Sequence, residues 1–164
     1  MTAEQSNLTH VDEQGRVHMV DVGHKDIVRR EAVAEGYLVA SPEALDRLEQ
    51  GRLPKGEAMA AARIAGILAA KRCSELIPLC HSLPIDAVEV DFERTGADRV
   101  RITARASVTA RTGVEMEALV AVSVAALTLY DMTKAIDKAM RIEGIRLVSK
   151  VKAPTRPDTK PASA

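Results

Sequence analysis

Residues 87–108 read AVEVDFERTGADRVRITARASV, and the alternation in this stretch decides the fold. Val88, Val90 and Phe92 fall on one face of an extended chain, while Glu89, Asp91 and Glu93 fall on the other. Thr95-Gly96-Ala97-Asp98 supplies a turn. On the return strand Val100, Ile102, Ala104, Ala106 and Val108 point inward, and Arg99, Arg101, Thr103 and Arg105 point outward. An acidic row facing a basic row is a register signal, worth roughly a few tenths of a kcal/mol per pair. The arginine row could also hold phosphate, but pairing with the acidic strand is the simpler reading.

Upstream of the hairpin, 27–40 is rich in small and branched residues and reads as a strand. Ser41 as N-cap and Pro42 at the first helical position open a short helix that closes at Gly51. After Pro54-Lys55-Gly56, an alanine-dominated helix runs over 57–72, and a further turn extends to Leu76 before Pro78. The segment from Leu79 to Pro84 is an irregular link into the sheet. Downstream, Arg111-Thr112-Gly113 ends the return strand. A long helix then spans 114–140, apolar almost all round through Leu129 and therefore buried on several sides. A last strand covers 142–150 and sets Ile145 and Leu147 against Arg146. The order β-α-α-β-β-α-β is, with one helix left out, the split β-α-β of a ferredoxin-like α+β sandwich. That fold is an antiparallel four-stranded sheet with helices packed on one face.

The chain has 164 residues, with 23 basic and 23 acidic side chains, and 46 % of it is hydrophobic. At this size a single domain buries roughly 70 % of its unfolded surface. Zero net charge argues against a nucleic-acid partner. With two tyrosines, one phenylalanine and no tryptophan, base stacking is not a mode of recognition. Residues 1–25, polar and carrying His10, His18 and His24, read as a flexible arm. Residues 26–151 form one folded domain, and 152–164, with Pro154, Pro157 and Pro161, read as a disordered tail. No signal peptide is visible, and the most apolar stretch, 116–132, is interrupted by Glu117, Ser123, Thr128 and Asp131. A cytoplasmic protein with no membrane partner is expected. Cys73 and Cys80 are then expected to be reduced thiols, and with only His81 adjacent they make no metal site.

Asp131 and Lys134 lie three apart where the apolar run of the long helix ends, and such residues are neighbours on a helix surface. They read either as a surface ion pair or as catalytic groups; Asp137 and Lys138 read as a surface pair. Glu115 and Glu117 complement the positive end of the helix, although the apolar residues after Glu117 set it apart from surface decoration. Fourteen residues separate Glu117 from Asp131, about 21 Å along a helix. Either they serve two ends of a long ligand, or Glu117 of one chain joins Asp131 of another. The small residues at mid-helix favour the second, with a two-fold axis near Ser123 or Val124. His81, in the irregular link, is a general acid–base candidate or a structural histidine. Lys55-Gly56 ends no phosphate loop, because the Gly-x-x-x-x-Gly-Lys pattern is absent, and no nucleophile triad or dinucleotide fingerprint occurs. The residues alone suggest acid–base chemistry on an anionic ligand.

Taken together, His18-Met19-Val20-Asp21-Val22, Lys55-Gly56-Glu57 with AARIAGILAAKR, LIPLCH at 76–81, TGVEMEAL at 112–119 and ALTLYDMTKA at 126–135 closely resemble the MoaC family. These are the cyclic pyranopterin monophosphate synthases of molybdenum-cofactor biosynthesis. The chain departs from the family's common pattern at Glu57, Ser82 and Thr133. The resemblance implies a lyase that makes the 26–151 domain catalytic. Its substrate would be 3′,8-cyclo-7,8-dihydroguanosine 5′-triphosphate from a preceding radical enzyme, the functional partner in the pathway. Its products would be cyclic pyranopterin monophosphate and pyrophosphate. The resemblance implies Asp131, Lys134, Lys55 and His81 as catalytic. It implies Leu79, Cys80, His81, Met116, Glu117, Glu115, Arg30 and Lys150 as substrate-binding. It also implies a homohexamer, a trimer of dimers with sites at the dimer interfaces. No redox change is needed, and no flavin, nicotinamide or haem motif is present, so no cofactor or metal is expected. The rival reading is a non-catalytic oligomer that binds a nucleotide or pterin and hands it on, using the same basic residues but not Asp131.

Overall fold

The hairpin forms in the register its charges imply. In the computed structural model, which describes residues 14–153, β2 (Ala87–Arg94) and β3 (Arg99–Ala110) pair antiparallel, with Glu89 opposite Arg105 and Glu93 opposite Arg101. Val100, Ile102, Ala104, Ala106 and Val108 are fully buried. The outward arginines are engaged on both sides: Arg101 with Glu93, Arg105 with Glu31, and Arg99 with Asp98 and Glu143. Only Arg101 pairs with the acidic strand as expected; Arg105 and Arg99 take their carboxylates from the turn and from the strands on the other side.

Around the hairpin stand β1 (Val28–Val39), α1 (Pro42–Glu49), α2 (Ala58–Lys71), the single turn α3 (Cys73–Leu76), α4 (Glu115–Thr133) and β4 (Arg141–Ala153). The strand order is β2-β3-β1-β4 and every pairing is antiparallel. This is an α+β fold with the helices on one face of the sheet, as the split β-α-β reading requires. Ser41 caps α1, its hydroxyl accepting from the Ala44 N–H at 3.3 Å, with Pro42 in the first turn. α4 lies over the sheet and buries Ala118, Val122, Ala125, Ala126 and Leu129 completely. By length and composition it could cross a membrane, but here it is the core helix. α2 packs along it, and Gly66 permits the approach: a Cβ there would stand 2.8 Å from the Ala121 carbonyl oxygen.

Two expectations about elements are corrected. α4 ends at Thr133, short of Met140. Nothing in the Lys134–Ala139 sequence stops a helix; a tertiary contact does. The Ile136 and Asp137 N–H groups fold back onto the Thr133 carbonyl at 2.9 and 3.4 Å. The Asp137 carboxylate then accepts from the N–H of Ser41 at 2.7 Å and of Ala139 at 2.8 Å, so it ties this turn to the start of α1 rather than pairing with Lys138. β4 runs to Ala153, past Lys150, and its simple alternation is broken twice, at register shifts opposite Val33/Ala34 and Glu35/Tyr37. Gly144, at φ +64°, sits at the second. Bulges of this kind are frequent on edge strands such as β4. The expected arm is described only from residue 14, so His10 lies outside the described residues, as does the tail from 154.

Candidate active site

Asp131 occupies the last turn of α4, and two ammonium groups meet its carboxylate. Lys134, one turn on at the C-cap, reaches Oδ1 at 2.7 Å. Lys55 reaches Oδ2 at 2.6 Å and the Asp131 carbonyl oxygen at 3.0 Å. Lys55 arrives from the turn between α1 and α2, which Gly56 closes at φ +90°, its N–H bonded to the Leu53 carbonyl at 3.0 Å. Hydrogen bonds from Lys134 and then Lys55 hold the Asp131 carboxyl down at about 2, and the same bond raises the Lys134 ammonium above its usual range. All three groups are exposed. The cluster presents two cations and one carboxylate to an incoming ligand, a charge pattern suited to phosphate with a proton acceptor beside it.

The other end of α4 holds a second cluster. A cavity of about 360 Å³ is lined by Leu79, Cys80 and His81 of the link, Thr112 and Gly113 of the turn before α4, and Met116 and Glu117 of its first turn. Val20, Val22 and Lys25 close it from the N-terminal segment. The His81 Nε2–H donates to the Val20 carbonyl at 3.0 Å, which ties the link to the N-terminal segment. Glu117 is 3 % exposed. Burial pushes its carboxyl up and nearby Glu115 adds to that; its own backbone N–H and the Cys73 thiol pull it partly back. Glu115 folds back over Gly113, where a Cβ would fall 1.8 Å from its carboxylate oxygen, and pairs with Lys150 on β4 at 3.3 Å. Arg30 on β1 donates to the carbonyls of Ala110 and Arg111 at 3.1 and 2.9 Å, and Arg111 donates to that of Lys25 at 3.1 Å. Two arginines thus brace the turn that carries the cavity wall.

The residues singled out in the sequence therefore gather into two groups within one chain. Lys55, Asp131 and Lys134 form one; His81, Leu79, Cys80, Met116, Glu117, Glu115, Lys150 and Arg30 form the other. α4 is unbroken between Glu117 and Asp131, so the two groups stay apart by about 21 Å of helix. Lys25 was not singled out, although it is a cation on the cavity wall. Its stretch is polar and without period, and only its position three residues after the matching His18–Val22 string could have drawn attention to it. Among the described residues, no three His, Cys, Asp or Glu side chains gather as metal ligands.

The family profile of MoaC matches residues 19–153, a span that takes in both groups. The chain belongs to the MoaC family. Among its relatives is the cyclic pyranopterin monophosphate synthase of Novosphingobium aromaticivorans, 56 % identical over 145 residues, which is 88 % of this chain and 92 % of that protein. The synthase of the same name from Roseiflexus sp. is 58 % identical over 146 residues, with 88 % and 92 % covered. Cyclic pyranopterin monophosphate synthase 3 of Mycobacterium tuberculosis is 57 % identical over 143 residues, with 87 % and 81 % covered. This MoaC chain spans most of each relative's length.

Proposed function

We propose that the chain is a cyclic pyranopterin monophosphate synthase, a lyase of molybdenum-cofactor biosynthesis, working in the cytoplasm on the cyclised triphosphate that a radical enzyme supplies. The observation that carries the reading is the Lys55–Asp131–Lys134 cluster in a chain of this family. Closing the cyclic phosphate requires a sugar hydroxyl to attack the α-phosphorus, lose its proton and expel pyrophosphate as the α–β P–O bond breaks. Charge gathers on phosphoryl oxygens, where fixed cations are most useful. Held by two ammonium groups at about 2, Asp131 is a weak base in the free chain. A triphosphate competes for Lys55 and Lys134, and as these turn to its oxygens the carboxylate regains basicity and accepts the proton. Lys134, protonated, is the complementary acid for the pterin-forming steps.

Both ends of α4 belong to the site, and they come from two chains. A partner related by a two-fold axis near Ser123 and Val124 sets its own Glu117 end against this chain's Asp131. The support is apolar exposure on the helix layer. Ile64, Leu68, Leu76 and Leu127 are exposed, and a groove of about 430 Å³ is lined by Ala65, Leu68, Ala69, Leu76 and Val124 with Arg72 and Glu75 among them. Large exposed apolar side chains of this kind favour an interface. Three such dimers make the hexamer, and the 26–151 domain, with Lys25 before it, is its catalytic unit. Incubation with the cyclised triphosphate and assay for pyrophosphate tests the function. Release in step with pterin product is expected, and substrate binding without release would instead support a carrier.

A further inference from the structure

β4 brings one more cation to the Glu117 end of α4. The strand register sets Lys152 opposite Arg30 and Lys150 opposite Ala32. Ala32 is buried under the helices, and Lys150 reaches Glu115 on α4 at 3.3 Å. Lys152, two residues on, therefore points to the same, helix-bearing side of the sheet. Residues directly opposite on antiparallel strands have Cβ atoms about 4.5–5.5 Å apart, so Lys152 stands beside Arg30. It is exposed, and it has no hydrogen bond or ion pair among the described residues. We infer that Lys152 is a further substrate-binding residue, holding the terminal phosphates of the triphosphate and then the leaving pyrophosphate. The inference rests on the proposed synthase reading, with this end of α4 as part of the site.

Three features of the corner favour an anion. Charge is the first. Arg30 donates to the Ala110 and Arg111 carbonyls at 3.1 and 2.9 Å, bonds that leave its positive charge unmatched. Among the described residues Glu115 is the only carboxylate paired with any of the three cations, and it meets Lys150 alone. Like charges side by side on one face repel, so a polyanion settling among them relieves repulsion as it binds. Position is the second. Arg111, whose carbonyl Arg30 holds, precedes Thr112 and Gly113 of the cavity wall, and the Glu115 carboxylate lies over Gly113. Access is the third: β4 is an edge strand, so no strand of the same sheet flanks Lys152 on its outer side. A lysine ammonium is a point charge on a flexible stem, suited to a phosphate group that shifts as it leaves.

The experiment compares wild type, Lys152→Gln, Lys152→Arg and the double variant Lys152→Gln/Val151→Lys, each as the intact oligomer. The double variant keeps the net charge but moves the cation to the other face of the sheet. KM and kcat are measured for pyrophosphate release, and the affinity for inorganic pyrophosphate by calorimetry, which needs no turnover. Lys152→Gln is expected to raise KM about fivefold and weaken pyrophosphate binding by a similar factor, with kcat no lower than about half of wild type. Lys152→Arg restores both quantities, and the double variant restores neither. Wild-type KM and pyrophosphate affinity in Lys152→Gln overturn the inference and leave the synthase reading intact. Recovery in the double variant also overturns it, because the general field rather than a contact is then responsible. A wild-type chain that binds pyrophosphate but releases none from the cyclised triphosphate overturns the synthase reading, and the leaving-group role with it.

Discussion

Asp131 and Glu117 are carboxylates on one helix whose surroundings push them in opposite directions. Asp131 is held at about 2 by two lysines, against 3.8 ordinarily. Its contribution to stability is present above 3.8 and is lost as pH falls through 2; being exposed, the pairs are screened and contribute little. In the proposed mechanism their value is in catalysis: Asp131→Asn is expected to lower kcat by about a hundredfold or more with the fold retained, read by steady-state pyrophosphate release and circular dichroism. Glu117 is the reverse case. Its folded value lies above the ordinary 4.5 because it is buried, so the native state binds the proton more tightly than the unfolded chain. Stability from this group is present below 4.5 and is lost as pH rises through the folded value. Glu117→Gln should therefore unfold at a higher temperature than wild type at pH 7, with the gap closing as pH falls through the raised folded value and gone below 4.5. A variant both more stable and less active marks a group kept for function.

At the scale of elements, the sheet was legible and the ends of things were not. Period-two patterning over 87–108 gave both strands, their faces and their register, because one side of the hairpin is buried and a one-residue slip would expose it. The end of α4 was hidden because Lys134–Ala139 is compatible with a helix, and only the distant backbone of Ser41, meeting Asp137, breaks it. The bulges in β4 were hidden for the same reason: they answer to β1, which lies far off in sequence. The α2–α4 contact depends on one glycine. Gly66→Ala pushes a methyl against the Ala121 carbonyl and the Ala125 and Val90 side chains. Overpacking of this kind costs about 1–3 kcal/mol, and helix propensity returns at most about 1. A fall of several degrees in Tm by scanning calorimetry is expected; an unchanged or higher Tm would mean the helices can separate freely.

For the whole molecule, zero net charge concealed a local arrangement: two lysines on one carboxylate at one end of α4, and a cavity with Lys25, His81 and Glu117 at the other. Spacing alone placed Glu117 and Asp131 too far apart for one small reacting centre, and the unbroken helix keeps them so. What spacing left open is which chain completes each end, and in the proposed dimer it is a two-fold partner. Mixing two inactive variants, Glu117→Gln and Asp131→Asn, at equal amounts with full subunit exchange tests this directly. In a mixed dimer one composite site carries both substitutions and the other carries neither. Random pairing then restores about a quarter of wild-type sites, from symmetry alone. Recovery toward a quarter of wild-type pyrophosphate release is the result expected. Mixed dimers confirmed by differently tagged chains, with activity no higher than that of either variant alone, would contradict it.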